Sequence, residues 1–406
     1  MRIGQLSNLY PPDVLGGAEM VVEHIVHGLR AAGHEVVVIA TVAPRRTVRE
    51  EVDGVTVHRL STANLSWVGE LPKRSRMLKL FWHLIDLWNP VMYRRVRTVL
   101  RAEKLDVVHT HNLAGFSPAM WAAARAEGLP VVHTTHDHSL TCFRSIRMTR
   151  RGRVCERQCT GCALRGRWFR RLSETVNAIV TPSRFVLNRH RELGFFSRAT
   201  SAVIPWGVPP PERTPHDSGK ADGAPLRFLY IGGLRRYKGI EVVLDAFRRA
   251  PDLRASLDIA GAGELADACA EAAKDPRIRF HGFVKGEQKA ELLTASDVLL
   301  LPSLCWETMG LAALEAFSYG VPVLASRTGA VPELVEEGRT GFLLEPGDSA
   351  ALAQSMARLA SAPVVVEDMR AACRARAREL SIERAVNGIV EVYEAVRSAR
   401  DNRISP

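Results

Sequence analysis

The sequence predicts an α/β protein with two domains, each built around a parallel sheet. Short apolar runs that suit buried strands alternate with segments in which apolar residues recur every three or four positions, as in helices. This alternation starts twice, near residue 2 and again near residue 226, and 406 residues are enough for two hydrophobic cores. Between the two starts, residues 205–225 are rich in proline, glycine and charge without periodicity, which predicts a linker.

The composition is typical of a globular protein, with 46% hydrophobic and 24% charged residues. The first ten residues lack the basic start and apolar core of a signal peptide, and no window reaches about 18 uninterrupted apolar residues. We therefore expect a cytoplasmic protein. The net charge of +11 favours anionic partners, namely phosphorylated substrates, nucleic acid or an acidic membrane surface.

The first domain is predicted to span residues 1–204. It opens with a strand over 2–6, a loop that contains Gly16 and Gly17, and a helix over 18–32, followed by a second strand. This order is typical of parallel nucleotide-binding domains. The glycines would let the loop backbone approach a ligand at the carboxyl edge of the sheet, and the alternative is a flexible turn.

Residues 65–101 combine many large apolar side chains with lysines and arginines. Two interpretations remain open for this segment. As a basic amphipathic segment it would lie in a membrane interface, which would place the protein on the inner face of the cell membrane. As a helical pair it would pack its apolar faces on the domain core. The two interpretations can hold together.

Two further apolar strands end in histidine clusters, within the segments DVVHTHN and PVVHTTHDHS. A single histidine at a strand end is usually structural. Because residues just past the carboxyl ends of parallel strands line the ligand crevice, two clusters at equivalent ends predict a functional role. The candidates in the two clusters are His109, His111, His133, His136 and His138.

The second domain is predicted to span residues 226–380 and restarts the order of strand, glycine loop and helix. The candidate ligand-binding positions in its first loops and short strands are Gly233, Arg235, Lys238, Gly261, Gly263 and Val284. The two basic residues could supply cations for a leaving diphosphate, which develops negative charge as its bond breaks.

Residues 297–326 predict a strand, a loop, a helix and a second strand. The first-turn amides of that helix could hold a diphosphate, because they lack partners within the helix and carry partial positive charge. Glu307 precedes the helix and Glu315 lies eight residues on, about 12 Å along a helix axis. The two carboxylates could accept hydrogen bonds from hydroxyls at the two ends of a nucleoside diphosphate sugar, although such a pair alone also suits a solvated helix face. The backbone positions are Met309, Gly310, Leu311 and Ala312.

This run resembles the signature of the retaining glycosyltransferases of family 4. The resemblance implies the GT-B fold, in which two Rossmann-like domains face each other across a cleft, with a last helix, 381–406, that crosses back to the first domain. It implies transfer of a sugar from a nucleoside diphosphate sugar to an acceptor bound by the first domain. The anomeric configuration would be retained, with the leaving phosphate helping to take the acceptor proton. The expected acceptor is a lipid-linked glycan of envelope or exopolysaccharide synthesis.

The same resemblance implies roles for individual residues. Glu307 would meet the donor sugar and Glu315 the ribose, whereas Gly16 and Gly17 would face the donor phosphate and the acceptor. The residues implied in catalysis are His136, Glu307 and Lys238, and His111 is implied in the acceptor pocket. No Asp-x-Asp pair follows a strand where it would bridge Mg²⁺ to a diphosphate, so we expect catalysis without a metal cofactor.

The chain departs from the family pattern at two positions. The family usually has arginine where this chain has Gly233, so Arg235, Arg236 or Lys238 would carry the phosphate contact. The family also has asparagine in an Ile-Pro-Asn-Gly-Val turn, where this chain has Trp206.

An insertion at residues 139–171 contains ten arginines and four cysteines. The cysteines are separated by twelve, three and two residues, and they are Cys142, Cys155, Cys159 and Cys162. In a cytoplasmic chain such a group predicts a metal, either zinc or an iron–sulfur cluster, and the alternative is four free thiols. A metal with four cysteine ligands has no open position, so this site is not expected to be catalytic.

Two other functions are compatible with these features. A sugar-nucleotide epimerase also uses a cleft between two such domains. A nucleic-acid-binding protein could use the arginine-rich insertion, but residues 144–167 lack the interleaved aromatic side chains on which bases stack. We therefore expect no nucleic-acid partner.

Overall fold

The computed structural model of the chain describes residues 1–44, 47–211 and 224–404. The chain divides into two compact units. Unit 1 comprises Met1–Ser145, Arg157–Gly207 and Ile382–Pro406, and unit 2 comprises Ile146–Glu156 and Val208–Ser381. Most of the predicted linker, residues 212–223, lies outside the described residues.

The core of unit 1 is an eight-stranded sheet in the order β3-β4-β2-β1-β5-β6-β7-β8. Every neighbouring pair is parallel except β3 and β4, which form an antiparallel hairpin. The strands are β1 Arg2–Leu6, β2 Glu35–Val42, β3 Val48–Val52, β4 Val55–Ser61, β5 Val107–Thr110, β6 Val131–Thr134, β7 Ala178–Thr181 and β8 Thr200–Val203.

The β3–β4 hairpin is a feature that the sequence analysis did not predict. Its turn is Asp53-Gly54, and both residues have positive φ, 49° and 73°. Two such angles are what a two-residue hairpin turn requires, and Asp-Gly is a frequent sequence for it. The Asp-Gly pair was therefore a local signal for this hairpin in the sequence.

Seven helices flank this sheet among the described residues. They are α1 Gly17–Ala31, α2 Arg76–Ile85, α3 Pro90–Glu103, α4 Ala119–Ala126, α5 Thr160–Ser173, α6 Arg184–Glu192 and the last helix of the chain, α14 Ile382–Ile404. Helices α1 and α14 pack closely, because a Cβ atom at Gly28 would lie only 2.5 Å from Val386. Helix α3 buries Met92, Val96 and Leu100 in the core, together with the fully buried Trp121 of α4.

Unit 2 contains a six-stranded sheet that is parallel throughout, in the order β11-β10-β9-β12-β13-β14. Its strands are β9 Leu226–Ile231, β10 Ala255–Ala260, β11 Ile278–Gly282, β12 Val298–Leu301, β13 Val323–Ser326 and β14 Gly341–Leu344. Its helices are α7 Ile240–Arg249, α8 Ala266–Ala272, α9 Gly286–Ala295, α10 Leu311–Ser318, α11 Val331–Leu334, α12 Ser349–Ser361 and α13 Pro363–Glu379.

The predicted α/β class with parallel sheets is confirmed. The central strands are buried along their length, as β12 is at all four positions, which is typical of a parallel sheet covered by helices. Within the described ranges, no helix combines the length and apolar character that crossing a bilayer requires.

Candidate active site

Glycine loops at the carboxyl ends of β9 and β10 lie backbone against backbone. A Cβ atom at Gly261 would fall 1.8 Å from the carbonyl oxygen of Gly232, and one at Gly263 would fall 2.4 Å from that of Leu234. Both glycines also have φ above 150°. Only glycine allows this approach, so these predicted positions shape the loop that carries Gly233.

Lys238 and Glu307 form an ion pair within unit 2. Lys238 ends a short 3₁₀ helix, Arg236–Lys238, and the following Gly239 has φ 77°. A Cβ atom at Gly239 would lie 1.9 Å from the carbonyl oxygen of Pro302, so glycine brings this loop onto the loop after β12. The ammonium of Lys238 then donates to Oε1 of Glu307 at 2.7 Å. Two residues predicted separately from the sequence are therefore direct partners.

The electrostatics keep both members of this pair charged. Burial acts to raise the pKa of the Glu307 carboxyl, but Lys238 and the hydroxyl of Ser303 outweigh burial and hold that pKa below its usual value. Burial acts to lower the pKa of Lys238, but the Glu307 carboxylate raises it above its usual value. The site therefore presents a carboxylate and an ammonium at neutral pH.

The backbone of Glu307 is held by a turn that the sequence analysis did not single out. The carbonyl oxygen of Glu307 accepts from the amide of Ala330 at 2.8 Å. Gly329 has φ 58°, and a Cβ atom there would lie 2.2 Å from that same oxygen. The glycine of the segment TGAVPEL is thus required for the position of Glu307.

The N-terminus of α10 has the predicted form. Gly310 caps the helix with φ 98°, and Leu311 and Ala312, both half-buried, provide its first amides. Met309, which precedes this cap, is buried at 4% exposure. Val284, which follows β11, is buried in the same way.

Glu315 lies on α10 and is paired with a residue that the sequence analysis missed. Lys289 of α9 donates to Oε1 of Glu315 at 2.5 Å. The pair is partly exposed, with side-chain exposures of 30% and 20%. A ribose diol that binds Glu315 would therefore meet a carboxylate whose position Lys289 restrains.

Arg235 and Arg236 differ in their surroundings. Arg236 approaches Glu241 at 3.9 Å. Arg235 is exposed and forms no ion pair within the described part of the chain. Of the two arginines that could replace the one missing at Gly233, Arg235 is therefore the better candidate for a phosphate contact.

In unit 1 the two histidine clusters meet. Nδ1 of His111 lies 2.8 Å from Nε2 of His136, and Nε2 of His111 lies 2.7 Å from the side-chain oxygen of Gln5. Gln5 in turn donates to the hydroxyl of Tyr393 on α14. Because an amide oxygen only accepts, His111 donates to Gln5 and accepts from His136. The Nδ1 atom of His136 is then the ring nitrogen with a lone pair.

Burial keeps this network neutral. It lowers the pKa of both His109 and His136 to about 3, and it lowers the pKa of His111 well below its usual value. His109 bonds to the Tyr393 hydroxyl at 2.6 Å and to Thr134 at 2.7 Å. His133 instead packs against Phe196 in the core.

Trp206 stacks on His136. The two ring centroids are 5.5 Å apart, with 26° between the ring planes. Trp206 is 9% exposed, and its buried indole N–H has no hydrogen-bond partner among the described residues. Trp206, at which the chain departs from the family pattern, thus places an indole N–H without a hydrogen-bond partner beside His136, the candidate catalytic histidine.

The Gly16–Gly17 loop is closed by a residue that the sequence analysis did not select. The amide of Gly16, which caps α1, donates to Oε2 of Glu19 at 2.9 Å. Burial raises the pKa of Glu19, and the neighbouring Asp137 carboxylate adds to this effect. Glu19 at the third helical position is a capping-box signal that could have been found in GGAE.

None of the seven cysteines, all of which lie in the described ranges, forms a disulfide. Cys142 and Cys162 are buried, Cys155 is half-buried and Cys159 is exposed. In the described ranges, the one group of three potential ligands with all its atoms within 4.8 Å of one another is Glu23, His27 and Asp53. Lone clusters of this kind on a surface are common without a metal, so we assign it no role.

Comparisons with known proteins identify the family. Residues 15–211 match the family model described as Glycosyltransferase Family 4, and residues 225–362 match the model described as Glycosyl transferases group 1. The chain belongs to glycosyltransferase family 4. Among curated relatives, the phosphatidyl-myo-inositol mannosyltransferase of Mycobacterium leprae is 27% identical over 414 residues, which covers 98% of each chain.

Solved structures of other proteins share the fold of this chain. Sucrose-phosphate synthase from Thermosynechococcus elongatus superposes with a TM-score of 0.78 at 19% identity, covering 98% of this chain and 99% of that one. Anabaena HepE in complex with UDP gives a TM-score of 0.69 at 17% identity, covering 97% and 100%. The predicted GT-B fold class is therefore confirmed. The two family models, rather than these structures, show that the protein is a glycosyltransferase.

The buried neutral histidines predict a loss of stability on acidification. Their pKa is lowered in the folded state, so below the unfolded value of about 6.5 the unfolded chain binds protons that the folded chain does not. Between about pH 7 and pH 5.5, each of His109 and His136 should remove about 1 kcal/mol from the free energy of unfolding. Denaturant titrations followed by tryptophan fluorescence measure this loss for unit 1, since every tryptophan except Trp306 lies there.

His109→Gln should reduce that pH-dependent loss by about 1 kcal/mol, the contribution of one buried histidine. Stability that stays flat across this pH range in the unmodified protein would contradict a neutral network.

Proposed function

We propose that this glycosyltransferase transfers a hexose from a nucleoside diphosphate sugar, with retention, to a lipid-linked glycan at a membrane surface. The observation that carries the donor class is the Lys238–Glu307 pair beside the N-terminus of α10. A cation, a carboxylate and free helix amides together match a diphosphate joined to a sugar. HepE, which shares the fold, is described in complex with UDP.

The leaving group needs positive charge, and unit 2 can supply it without a metal cofactor. As the bond between the anomeric carbon and the diphosphate oxygen breaks, negative charge grows on that diphosphate. Lys238, the exposed Arg235 and the first amides of α10 would stabilise this charge. The pair with Glu307 keeps Lys238 protonated for that role.

Retention follows if the acceptor hydroxyl attacks from the side that the diphosphate leaves. The acceptor oxygen bonds to the anomeric carbon while its proton passes to an oxygen of the leaving diphosphate. Glu307 is engaged with Lys238 and Ser303, so its carboxylate suits hydrogen bonds to sugar hydroxyls better than attack on carbon. No covalent sugar–protein intermediate is required.

The histidine network would orient the acceptor hydroxyl rather than remove its proton outright. The pKa of His136, lowered to about 3 by burial, makes the ring a weak base. Its Nδ1 lone pair can still accept a hydrogen bond, while the indole N–H of Trp206 can donate one. One acceptor and one donor side by side suit a hydroxyl group, which both donates and accepts.

An exposed apolar stripe on helix α2 supports the proposal that the acceptor is bound to a membrane. The apolar stripe, defined as Met77, Leu80, Phe81 and Leu84, has exposures of 51–65%. These positions are spaced i, i+3, i+4 and i+7, so they share one face of the helix. The opposite side is anchored by Trp82, which is 1% exposed and donates to the carbonyl of Ser66 at 2.7 Å.

The packed-core interpretation of residues 65–101 fits α3, whose apolar residues are buried. We propose the membrane interpretation for α2 alone. Exposed arginines lie in the same region of the sequence, at Arg74 and Arg94. A face of this kind suits the interface of an anionic bilayer. The Mycobacterium leprae relative is named for a phospholipid acceptor, which agrees with this proposal.

The direct test is release of nucleoside diphosphate. A panel of UDP-, GDP- and ADP-sugars is incubated with the protein and with anionic vesicles that contain polyprenyl-linked glycans. We expect release with one donor class, dependent on the lipid-linked acceptor, and a product with the donor's anomeric configuration. Conversion of the sugar nucleotide without acceptor would instead indicate an epimerase, and no turnover of any donor would contradict the proposal.

Substitution of the two glutamates should separate nucleotide from sugar recognition. Glu315→Ala should weaken binding of the nucleoside diphosphate by about 1.5–3 kcal/mol, because it removes a hydrogen bond to a charged group. Glu307→Ala should chiefly abolish the discrimination between the nucleoside diphosphate and the sugar nucleotide. Isothermal titration calorimetry measures both.

The control for this pair is Glu271→Ala, which removes an exposed glutamate of α8 that pairs with Lys274. Its affinities should match those of the unmodified protein. If the Glu315 and Glu307 variants bind both the nucleoside diphosphate and the sugar nucleotide as tightly as this control does, the assignment of the donor site is wrong.

Trp206→Phe should affect the acceptor alone. The aromatic ring that stacks on His136 is kept and only the N–H donor is lost, so kcat/KM for the acceptor should fall about 2- to 12-fold, corresponding to 0.5–1.5 kcal/mol. Affinity for the nucleoside diphosphate should not change. An unchanged acceptor kcat/KM would show that the indole N–H does not contact the acceptor.

Charge introduced into the apolar stripe should weaken membrane binding. Leu80→Asp removes an exposed side chain whose burial is worth about 1.5–3 kcal/mol, so vesicle affinity should fall at least about tenfold. Val364→Asp is the matched control, since Val364 is also an exposed apolar residue, on α13 of unit 2. Sedimentation with vesicles of rising anionic lipid content measures the effect, and equal binding by both variants would contradict the assignment.

A further inference from the structure

We propose that Arg147, a residue of the cysteine-containing insertion, is a positioning residue for Glu307 and acts through the ring of Trp306. Residues Ile146–Glu156, the insertion hairpin, group with unit 2, although the chain on either side of them belongs to unit 1. The guanidinium of Arg147 lies over the Trp306 ring, 5.2 Å from its centroid. Trp306 directly precedes Glu307 in the chain. This role rests on the proposed function, in which Glu307 binds the donor sugar.

The insertion hairpin is ordered by its own backbone. Met148 and Val154 form an antiparallel bridge, and the amide of Thr149 donates to the carbonyl of Arg153 at 2.8 Å. The turn includes Gly152, whose φ of 76° suits glycine. The hairpin is therefore a defined element that can hold a side chain in one place.

Arg147 is fixed at the base of this hairpin, where it is 2% exposed. Its Nε and one terminal nitrogen donate to the carbonyl of Cys155 at 3.1 and 2.6 Å. The same terminal nitrogen donates to the carbonyl of Glu156 at 2.8 Å. The amide of Cys155 donates back to the carbonyl of Arg147 at 2.6 Å. Because a guanidinium is planar, it can donate along its edge while its face lies on a ring.

The backbone beside this contact is strained. Ser145 and Arg147 have φ of 58° and 46°, in the left-handed region that residues with a Cβ atom rarely adopt. Such angles persist where the surrounding contacts determine the backbone, and they are frequent at functional positions. The bonds of Arg147 within the hairpin and its contact with Trp306 are contacts of this kind.

The loop that carries Glu307 is held on both sides of Trp306. Before it, the amide of Leu304 donates to the carbonyl of Tyr237 at 2.9 Å, and after it the carbonyl of Glu307 accepts from the amide of Ala330. Between these two points Trp306 is half-buried, and the insertion hairpin supplies the cation that lies over its ring. The hairpin therefore restrains the loop at the residue next to the carboxylate.

Arg147 acts on Glu307 by position rather than by charge. Among the described residues, Lys238 and Ser303 are the groups that lower the pKa of the Glu307 carboxyl. The guanidinium instead meets the face of an aromatic ring, which attracts a cation. Since a displacement of about 1 Å at a reacting centre can cost on the order of 100-fold in rate, a restraint one residue away affects the reaction.

Arg147→Ala tests this role, with the donor that turns over in the panel of UDP-, GDP- and ADP-sugars. The kcat/KM for that sugar nucleotide should fall about 10- to 100-fold, because Glu307 would no longer be held against the sugar. The dissociation constant of the nucleoside diphosphate should not change, which also shows that unit 2 remains folded. Arg151→Ala, which removes an exposed arginine from the same hairpin, is the matched control and should leave both values unchanged.

Variants of Trp306 test the route through the ring. Trp306→Ala should give the same loss as Arg147→Ala, and the two substitutions combined should lose no more than either alone. Trp306→Phe keeps an aromatic face under the guanidinium, so it should retain more activity than Trp306→Ala. Losses that multiply in the double variant would overturn this route.

Combination with Glu307→Ala separates positioning from direct contact with the donor. Calorimetry measures the preference for the sugar nucleotide over the nucleoside diphosphate, and Arg147→Ala should change it no further once Glu307 is alanine. A further loss there, an unchanged kcat/KM in Arg147→Ala, or weaker nucleoside diphosphate binding in that variant would overturn the proposal while the transferase function stands. If the unmodified protein turns over no donor, the proposed function fails and this role fails with it.

Discussion

The close approach of glycine loops at the carboxyl edge of the unit 2 sheet is the constraint on which the donor site depends. Gly239 touches the backbone at Pro302, and Gly329 touches the backbone of Glu307. Neither contact leaves room for a Cβ atom. These approaches fix the two loops from which Lys238 and Glu307 extend, and so they fix the ion pair. Removing one partner would leave the other charge without compensation, which is why the pair is mutually dependent.

The two units use opposite electrostatic strategies for their candidate sites. Unit 2 presents charges, with an ammonium and a carboxylate that stabilise each other. Unit 1 presents a neutral chain of hydrogen bonds through Gln5, His111 and His136, because burial prevents protonation of the imidazoles. A charged donor such as a nucleoside diphosphate sugar suits the first arrangement, and an uncharged sugar hydroxyl suits the second. This division agrees with the activity that we propose.

Helices α2 and α3 show how similar compositions lead to different structures. Both mix apolar and basic residues, but α3 buries its apolar face in the core of unit 1, whereas α2 is anchored by Trp82 and exposes its apolar stripe. Amphipathic periodicity predicts that one face of a helix is apolar. It does not specify whether protein or membrane covers that face, because this depends on which neighbouring elements are present.

The sequence by itself determined the alternation of strands and helices, the positions of Gly261, Gly263 and Gly310, and the placement of His111 and His136 at strand ends. These features are local, since periodicity and positive φ depend on a few adjacent residues. Only the tertiary structure decided that Lys289 restrains Glu315, that Tyr393 joins the histidine network from 284 residues away, and that Trp206 stacks on His136. Such partners are distant in sequence, and the packing of the sheet, rather than any local pattern, brings them together.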